Sequence, residues 1–162
     1  MLSAEAIQKI EFELSKYPAD KRQAAVMGAL RIVQTELSWL SPECISDVAK
    51  YLRIPEIAAL EVATFYNMYD LEPVGKYKIT ICTNISCMLR DSDAIVNHLQ
   101  TKLGVGFNEV TPDGKFCLKE GECFGACGGA PLMIVNNHTM HEFLTPEKVD
   151  EILQDLNQKA LK

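Results

Sequence analysis

No stretch of this 162-residue chain approaches the roughly 18–20 consecutive apolar residues that a membrane-spanning helix needs. Basic residues are also in deficit. Lys and Arg number 16 against 22 Asp and Glu, giving a formal net charge of −6, split as −4 over residues 1–75 and −2 over residues 76–162. Binding to a phosphate backbone needs a basic stripe, and none is present, so nucleic acid is excluded as a partner. No Gly-x-Gly-x-x-Gly follows a strand and no phosphate loop occurs, so the chain carries no dinucleotide fingerprint of its own. The first fourteen residues have acids among them and no continuous apolar core. They suit neither a secretory signal nor an Arg-rich, acid-poor transit peptide. These absences predict a cytoplasmic chain, or a matured organellar one, with no direct membrane insertion. Histidine is sparse, with three in all. His138 and His141 lie beside a predicted turn with no carboxylate pair to complete a metal site, and they read as surface residues.

Cysteine, by contrast, is plentiful. Six are present, and in a reducing compartment six thiols point to metal binding or catalysis before disulfides. Four form two short pairs, Cys82-x4-Cys87 and Cys123-x3-Cys127, which start 41 residues apart. Cys44 and Cys117 are spare and read as structural, since buried free cysteine is common. Thioredoxin-type exchange uses Cys-x-x-Cys, and neither spacing matches it.

Around the cysteines the sequence predicts an α+β chain of two small domains. Four helical stripes come first: Ile7, Ile10, Leu14 and Tyr17, ended by Pro18; Val26, Leu30, Val33 and Leu37; Ile45, Val48, Ala49 and Leu52 behind the N-cap pair Ser41-Pro42; and a fourth from Pro55-Glu56 through Tyr66. They can bury one another as a bundle over residues 1–72, and their short, Ala-rich character suggests surface kept for a partner. Glu72-Pro-Val-Gly75 marks a boundary, after which the period falls from 3.6 to 2. Tyr77, Ile79 and Ile81 alternate with Lys78, Thr80 and Cys82 as a half-buried strand. Asp91-Ser-Asp93 is expected to cap a helix with Ile95, Val96, Leu99 and Leu103, stopped by Gly104. A turn at Thr111–Gly114 and a strand over 115–119 follow. A hairpin at Asn136-Asn137 joins strands over 132–135 and 141–144, and a last helix begins at Thr145-Pro146. The order β-α-β-β-β-α gives a small α/β sandwich over residues 76–162, with each cysteine pair where a strand becomes a loop.

Soft thiolates select iron–sulfur clusters, zinc or copper(I). Zinc remains compatible with the spacings. Gly125, Gly128 and Gly129 let backbone N–H groups crowd a cluster's sulfurs, and Phe124, Ala126, Ala130 and Leu132 can shield it from water, which favours iron–sulfur. A [2Fe–2S] unit takes one cysteine pair per iron, although a [4Fe–4S] cube also needs four thiolates. Glu120 and Glu122 read as strand-end solvation or as negative charge that keeps a reduction potential low.

Four segments together resemble the E-subunit family of the proton-pumping NADH:quinone oxidoreductases (respiratory complex I), which includes the mitochondrial flavoprotein 2 subunits. They are Ala63-Thr-Phe-Tyr66, Cys82-Thr-Asn-Ile-Ser-Cys-Met-Leu-Arg90, Thr111-Pro-Asp-Gly114 and Glu122-Cys-Phe-Gly-Ala-Cys-Gly-Gly-Ala-Pro131. The resemblance covers nearly the whole chain. It implies a helical docking domain over 1–72 and a thioredoxin-like ferredoxin domain over 76–162. It also implies one [2Fe–2S] cluster on Cys82, Cys87, Cys123 and Cys127, and a cis peptide bond before Pro131. NADH and FMN would sit on a partner flavoprotein, the F-subunit of such complexes, with other peripheral-arm subunits alongside. The chain would then belong to an oxidoreductase complex at the cytoplasmic face of the inner membrane, or in the mitochondrial matrix. Related diaphorase subunits of NAD-linked hydrogenases and formate dehydrogenases share the pattern. A zinc-stabilised interaction module is the alternative of another class. Phe124 stands where the family commonly has leucine, and Ser38 and Asp91 stand where it commonly has glycine.

Overall fold

The computed structural model describes residues 2–160. The backbone divides into two compact units, Met1–Pro73 and Val74–Lys162.

The first unit is helical: α1 Ala4–Leu14, a 3-10 turn Arg22–Ala25, α2 Val26–Leu37, α3 Pro42–Leu52 and α4 Glu56–Phe65. Ser3 caps α1, its hydroxyl accepting from the Ala6 N–H at 3.0 Å. Ser41 caps α3, accepting from the Cys44 N–H at 3.3 Å, with Pro42 in the first helical position. Ile45, Val48, Ala49 and Leu52 all face the core, as their spacing predicts. The α1 face differs from its expectation. Ala6, Ile10 and Leu14 are buried, whereas the helix stops at Leu14 and leaves Tyr17 outside it and exposed. Leu37, at the end of α2, is also exposed. Beyond α4 the chain is fastened back onto α2. The buried Gln34 donates to the Met68 carbonyl at 2.8 Å and accepts from the Asp70 N–H at 2.7 Å. Tyr69 donates to the Met27 carbonyl, and burial pushes its phenol up to about 12. In α4 only Ala59 and Ala63 are buried, while Ile57, Leu60 and Phe65 face outward.

The second unit contains β1 Tyr77–Cys82, α5 Ile85–Met88, α6 Ser92–Leu103, β2 Glu109–Val110, β3 Phe116–Gly121, β4 Met133–Val135, β5 Thr139–His141 and α7 Pro146–Ala160. Its sheet runs β2-β3-β1-β4-β5, with β1 and β3 parallel and the other neighbours antiparallel. β1 lies at the sheet's centre, and Lys78 and Cys82 are buried along with Ile79 and Ile81, so the strand is not half-buried. The second arm of the hairpin is Thr139–His141, two residues earlier than expected, because Asn136 and Asn137 at φ +51° and +58° turn the chain tightly. α6 ends at Gly104 in the left-handed conformation, φ +68°. Ile95 and Leu99 of α6 join Val149, Leu153 and Leu156 of α7 in the core against Ile79, Ile81, Phe116, Leu118, Met133 and Val135. Asp150 ties the two helices by accepting from Lys102 and bonding His98, each at 2.8 Å, and these partners hold its carboxyl below the usual range. Among the described residues no helix is long and apolar enough to cross a membrane.

Candidate metal centre

Parallel strands release their chains at the same end of a sheet, and this is what gathers the cysteines. In the β1–β3 register Cys82 pairs with Gly121, the last residues of both strands. The segments carrying Cys87 and Cys123 to Cys127 therefore leave side by side. The Thr83 N–H extends the pairing to the Gly121 carbonyl at 2.9 Å, and the Thr83 hydroxyl donates to Glu120 at 2.8 Å. The Cys82 N–H reaches the Leu132 carbonyl at 3.1 Å, so Cys82 is held between both neighbouring strand ends.

Cys87 does not lie on an irregular loop, as the sequence suggested. It sits in the four-residue helix α5, started by Asn84, whose side-chain oxygen accepts from the Ile85 N–H at 2.9 Å. A helix this short leaves no apolar periodicity to read, though asparagine before it is an ordinary N-cap signal. Cys82 and Cys87 are 3% and 1% exposed, closed in by Ala130 and Leu132 with Phe124 and Ala126 packed beside them. Burial pushes the Cys87 thiol up to about 11. A hydrogen bond to Cys82 and the charges of Cys82 and Cys127 add to the rise.

The second pair is open. Cys123 and Cys127 are both exposed. Gly125, at φ +72°, turns the chain so that its N–H points at the Cys123 sulfur, 3.4 Å away. Cys127 begins a 3-10 turn ending at Gly129, and the cis Ala130–Pro131 bond follows. The Phe124 ring folds over Gly121, where a Cβ would overlap it and come within 2.9 Å of Thr80 Cγ2. Glycine at the end of β3 thus lets the aromatic cover the buried pair.

The structure brings Cys82 and Cys87 into contact and sets Cys127 where its charge acts on Cys87, while Cys123 lies exposed on the same limb as Cys127. Among the described residues no three His, Cys, Asp or Glu groups gather as one metal ion requires. A mononuclear tetrahedral site wants four donors around one point. Two thiol pairs on adjacent limbs suit a binuclear centre, with backbone N–H donors nearby for its sulfurs. The donor set fits a [2Fe–2S] cluster in its chemistry, being thiols alone beside a dry wall and a glycine-rich one. Cys44 lies in α3 of the other unit, accepting from the Ser41 hydroxyl at 3.3 Å, and Cys117 is buried within β3 away from the strand end. His138 is exposed on the hairpin, and His141 is pulled down by burial and the Lys148 charge.

A family model described as thioredoxin-like [2Fe-2S] ferredoxin matches residues 10–157. The chain is 43% identical over 144 residues to the NADH-quinone oxidoreductase E-subunit of Rickettsia bellii, covering 88% of this chain and 86% of that relative. It is 37% identical over 147 residues to NADH-quinone oxidoreductase subunit 2 of Thermus thermophilus, covering 91% and 81% respectively. Among solved structures it is similar to an NAD+-reducing [NiFe]-hydrogenase in the air-oxidised state, with TM-score 0.72 and 17% identity over 88% of this chain. It spans only 24% of that hydrogenase chain, so this likeness concerns the fold alone.

Proposed function

Because the chain belongs to the thioredoxin-like [2Fe-2S] ferredoxin family, we propose that it is the electron-transfer subunit of an NADH:quinone oxidoreductase. It holds one [2Fe–2S] cluster on Cys82, Cys87, Cys123 and Cys127, beside the flavoprotein F-subunit that carries NADH and FMN. The observation that carries the reading is the Cys82–Gly121 register, which starts both cysteine limbs from one sheet end in a chain whose relatives are named as subunits of that enzyme.

When bound, the cluster supplies a one-electron couple suited to exchange with a flavin. The protein supplies position, dielectric and hydrogen bonds. Ala130, Leu132 and Phe124 keep water from the Cys82–Cys87 side. The Gly125 N–H stabilises negative charge on Cys123. The exposure of Cys123 and Cys127 leaves one edge open to a partner. The helical segment over residues 1–72 is the docking domain, and the outward Ile57, Leu60 and Phe65 give it apolar surface to bury. The chain lies at the cytoplasmic face of the inner membrane through its complex, not through a span of its own.

Anaerobic purification of the intact complex tests this. Iron and acid-labile sulfide in equal amounts, a [2Fe–2S] EPR signal after reduction, and a flavoprotein co-purifying with the full chain are the expected results. A colourless chain with stoichiometric zinc would sink the cluster. A coloured chain that co-purifies with hydrogenase or formate dehydrogenase subunits would keep the cluster and overturn the complex.

A further inference from the structure

The second cysteine limb is held by a strap that the four ligands do not explain. Glu142-Phe143-Leu144 follows β5 and runs back along the Cys127–Pro131 segment. The Phe143 N–H donates to the Gly129 carbonyl at 2.6 Å, and the Leu144 N–H to the Pro131 carbonyl at 3.0 Å. In the strap Phe143 adopts φ +50°, a left-handed conformation that a bulky aromatic rarely takes. Such a residue persists where its surroundings over-determine it, commonly beside functional sites.

Glu142 adds a charge to this clasp. Its side chain fills the space that a residue-129 side chain would take. A Cβ on Gly129 would lie 2.5 Å from Glu142 Cδ and Oε1 and 2.7 Å from its Cβ. Gly129 closes the 3-10 turn that Cys127 opens, so glycine here allows a carboxylate to lie directly on the turn. Lys148 Nζ donates to the Glu142 backbone carbonyl at 2.6 Å and anchors the strap at its start.

We propose that Glu142 is a positioning residue for the Cys127 side of the centre, its carboxylate seated on the turn so that fixed negative charge opposes addition of an electron there. The proposal rests on the ligand reading above. Glu142 is half-buried, and a charge held there is screened less than one in bulk water. Net charge around a cluster is one of the levers on its potential.

The test is a redox titration of the full chain, loaded anaerobically with ferrous iron and sulfide and read by EPR and visible absorption. Glu142→Gln keeps the shape and removes the charge. It should favour the reduced state by about threefold to tenfold at fixed poise, where tenfold is about 59 mV for a one-electron couple. Gly129→Ala, which pushes the carboxylate off the turn, should shift the potential the same way. Adding Glu142→Ala to it should shift it little further. Lys148→Gln removes a cation and should move the potential the opposite way. An unmoved potential in Glu142→Gln with an intact EPR signal overturns the strap alone. Shifts of the same sign in Glu142→Gln and Lys148→Gln do so too, since loosening has no charge sign. A wild-type chain that takes up no cluster overturns the ligand assignment and the strap with it.

Discussion

The two cysteine limbs solve the same problem in opposite ways. In the Cys82–Cys87 limb both thiols are buried against apolar side chains, the first at the end of a central strand and the second in a capped helical turn. The Cys123–Cys127 limb is exposed and shaped by glycine and backbone hydrogen bonds. The first can exclude water because β1 is paired on both edges and Ala130, Leu132 and Phe124 pack around its two thiols. The second can approach a partner because both of its thiols are exposed. A redox relay needs both properties. Dividing them between limbs lets a cluster be dry on one side and reachable on the other.

The largest test of this division removes one thiol from each limb. Cys87→Ala and Cys127→Ala should each abolish the visible absorption and the bound iron, because one centre needs both limbs. Cys44→Ala and Cys117→Ala should keep both. Retention of iron by Cys127→Ala would break the comparison and make the buried pair a site in its own right.

A smaller effect is expected at the joint between the limbs. In Gly121→Ala the new methyl would collide with the Phe124 ring and Thr80. Overpacking of this kind costs about 1–3 kcal/mol, readable as a lower urea midpoint. Gly121→Ala with Phe124→Leu should recover part of it, since the smaller side chain clears the collision. No recovery would mean that Phe124 does not seal the buried limb.

Much of this arrangement was legible in the residues. Ser41-Pro42 and the four buried positions of α3, the start and end of β1, the Gly104 stop and the Asn136-Asn137 turn all follow from local rules with one dominant cause each. The misreadings have physical reasons. Alternation along β1 suggested a half-buried strand, but pairing to β3 on one side and β4 on the other puts it at the centre, where even Lys78 is buried. α5 is one turn long, below the length at which periodicity exists. Glu142 could not be foreseen from sequence, because its contact with Gly129 depends on the strap's tertiary path. The cysteine spacings suggested the two pairs, while their unequal burial emerged only from the sheet register.

Two residues held in the left-handed region supply the smallest test. Ser38 and Asp91, where the resemblance leads us to expect glycine, both occupy the left-handed region, at φ +71° and +64°. Asp91 stands at the N-cap of α6, but its side chain makes no capping hydrogen bond there, contrary to the sequence expectation. Its replacement therefore removes no capping hydrogen bond and relieves the strained backbone. Asp91→Gly, just past the buried limb, should stabilise the chain by less than about 1 kcal/mol, because an αL conformation is cheap only for glycine and mild for Asp. Gly125→Ala, within the exposed limb at φ +72°, should destabilise it by about 1 kcal/mol for the same reason reversed. Urea midpoints of the two variants should thus move in opposite directions. The cluster's potential should respond only to Gly125→Ala, whose strain disturbs the N–H aimed at Cys123. If Asp91→Gly moves the potential as much, the buried limb is tuned through its backbone like the exposed one, and the contrast between them is one of solvent alone.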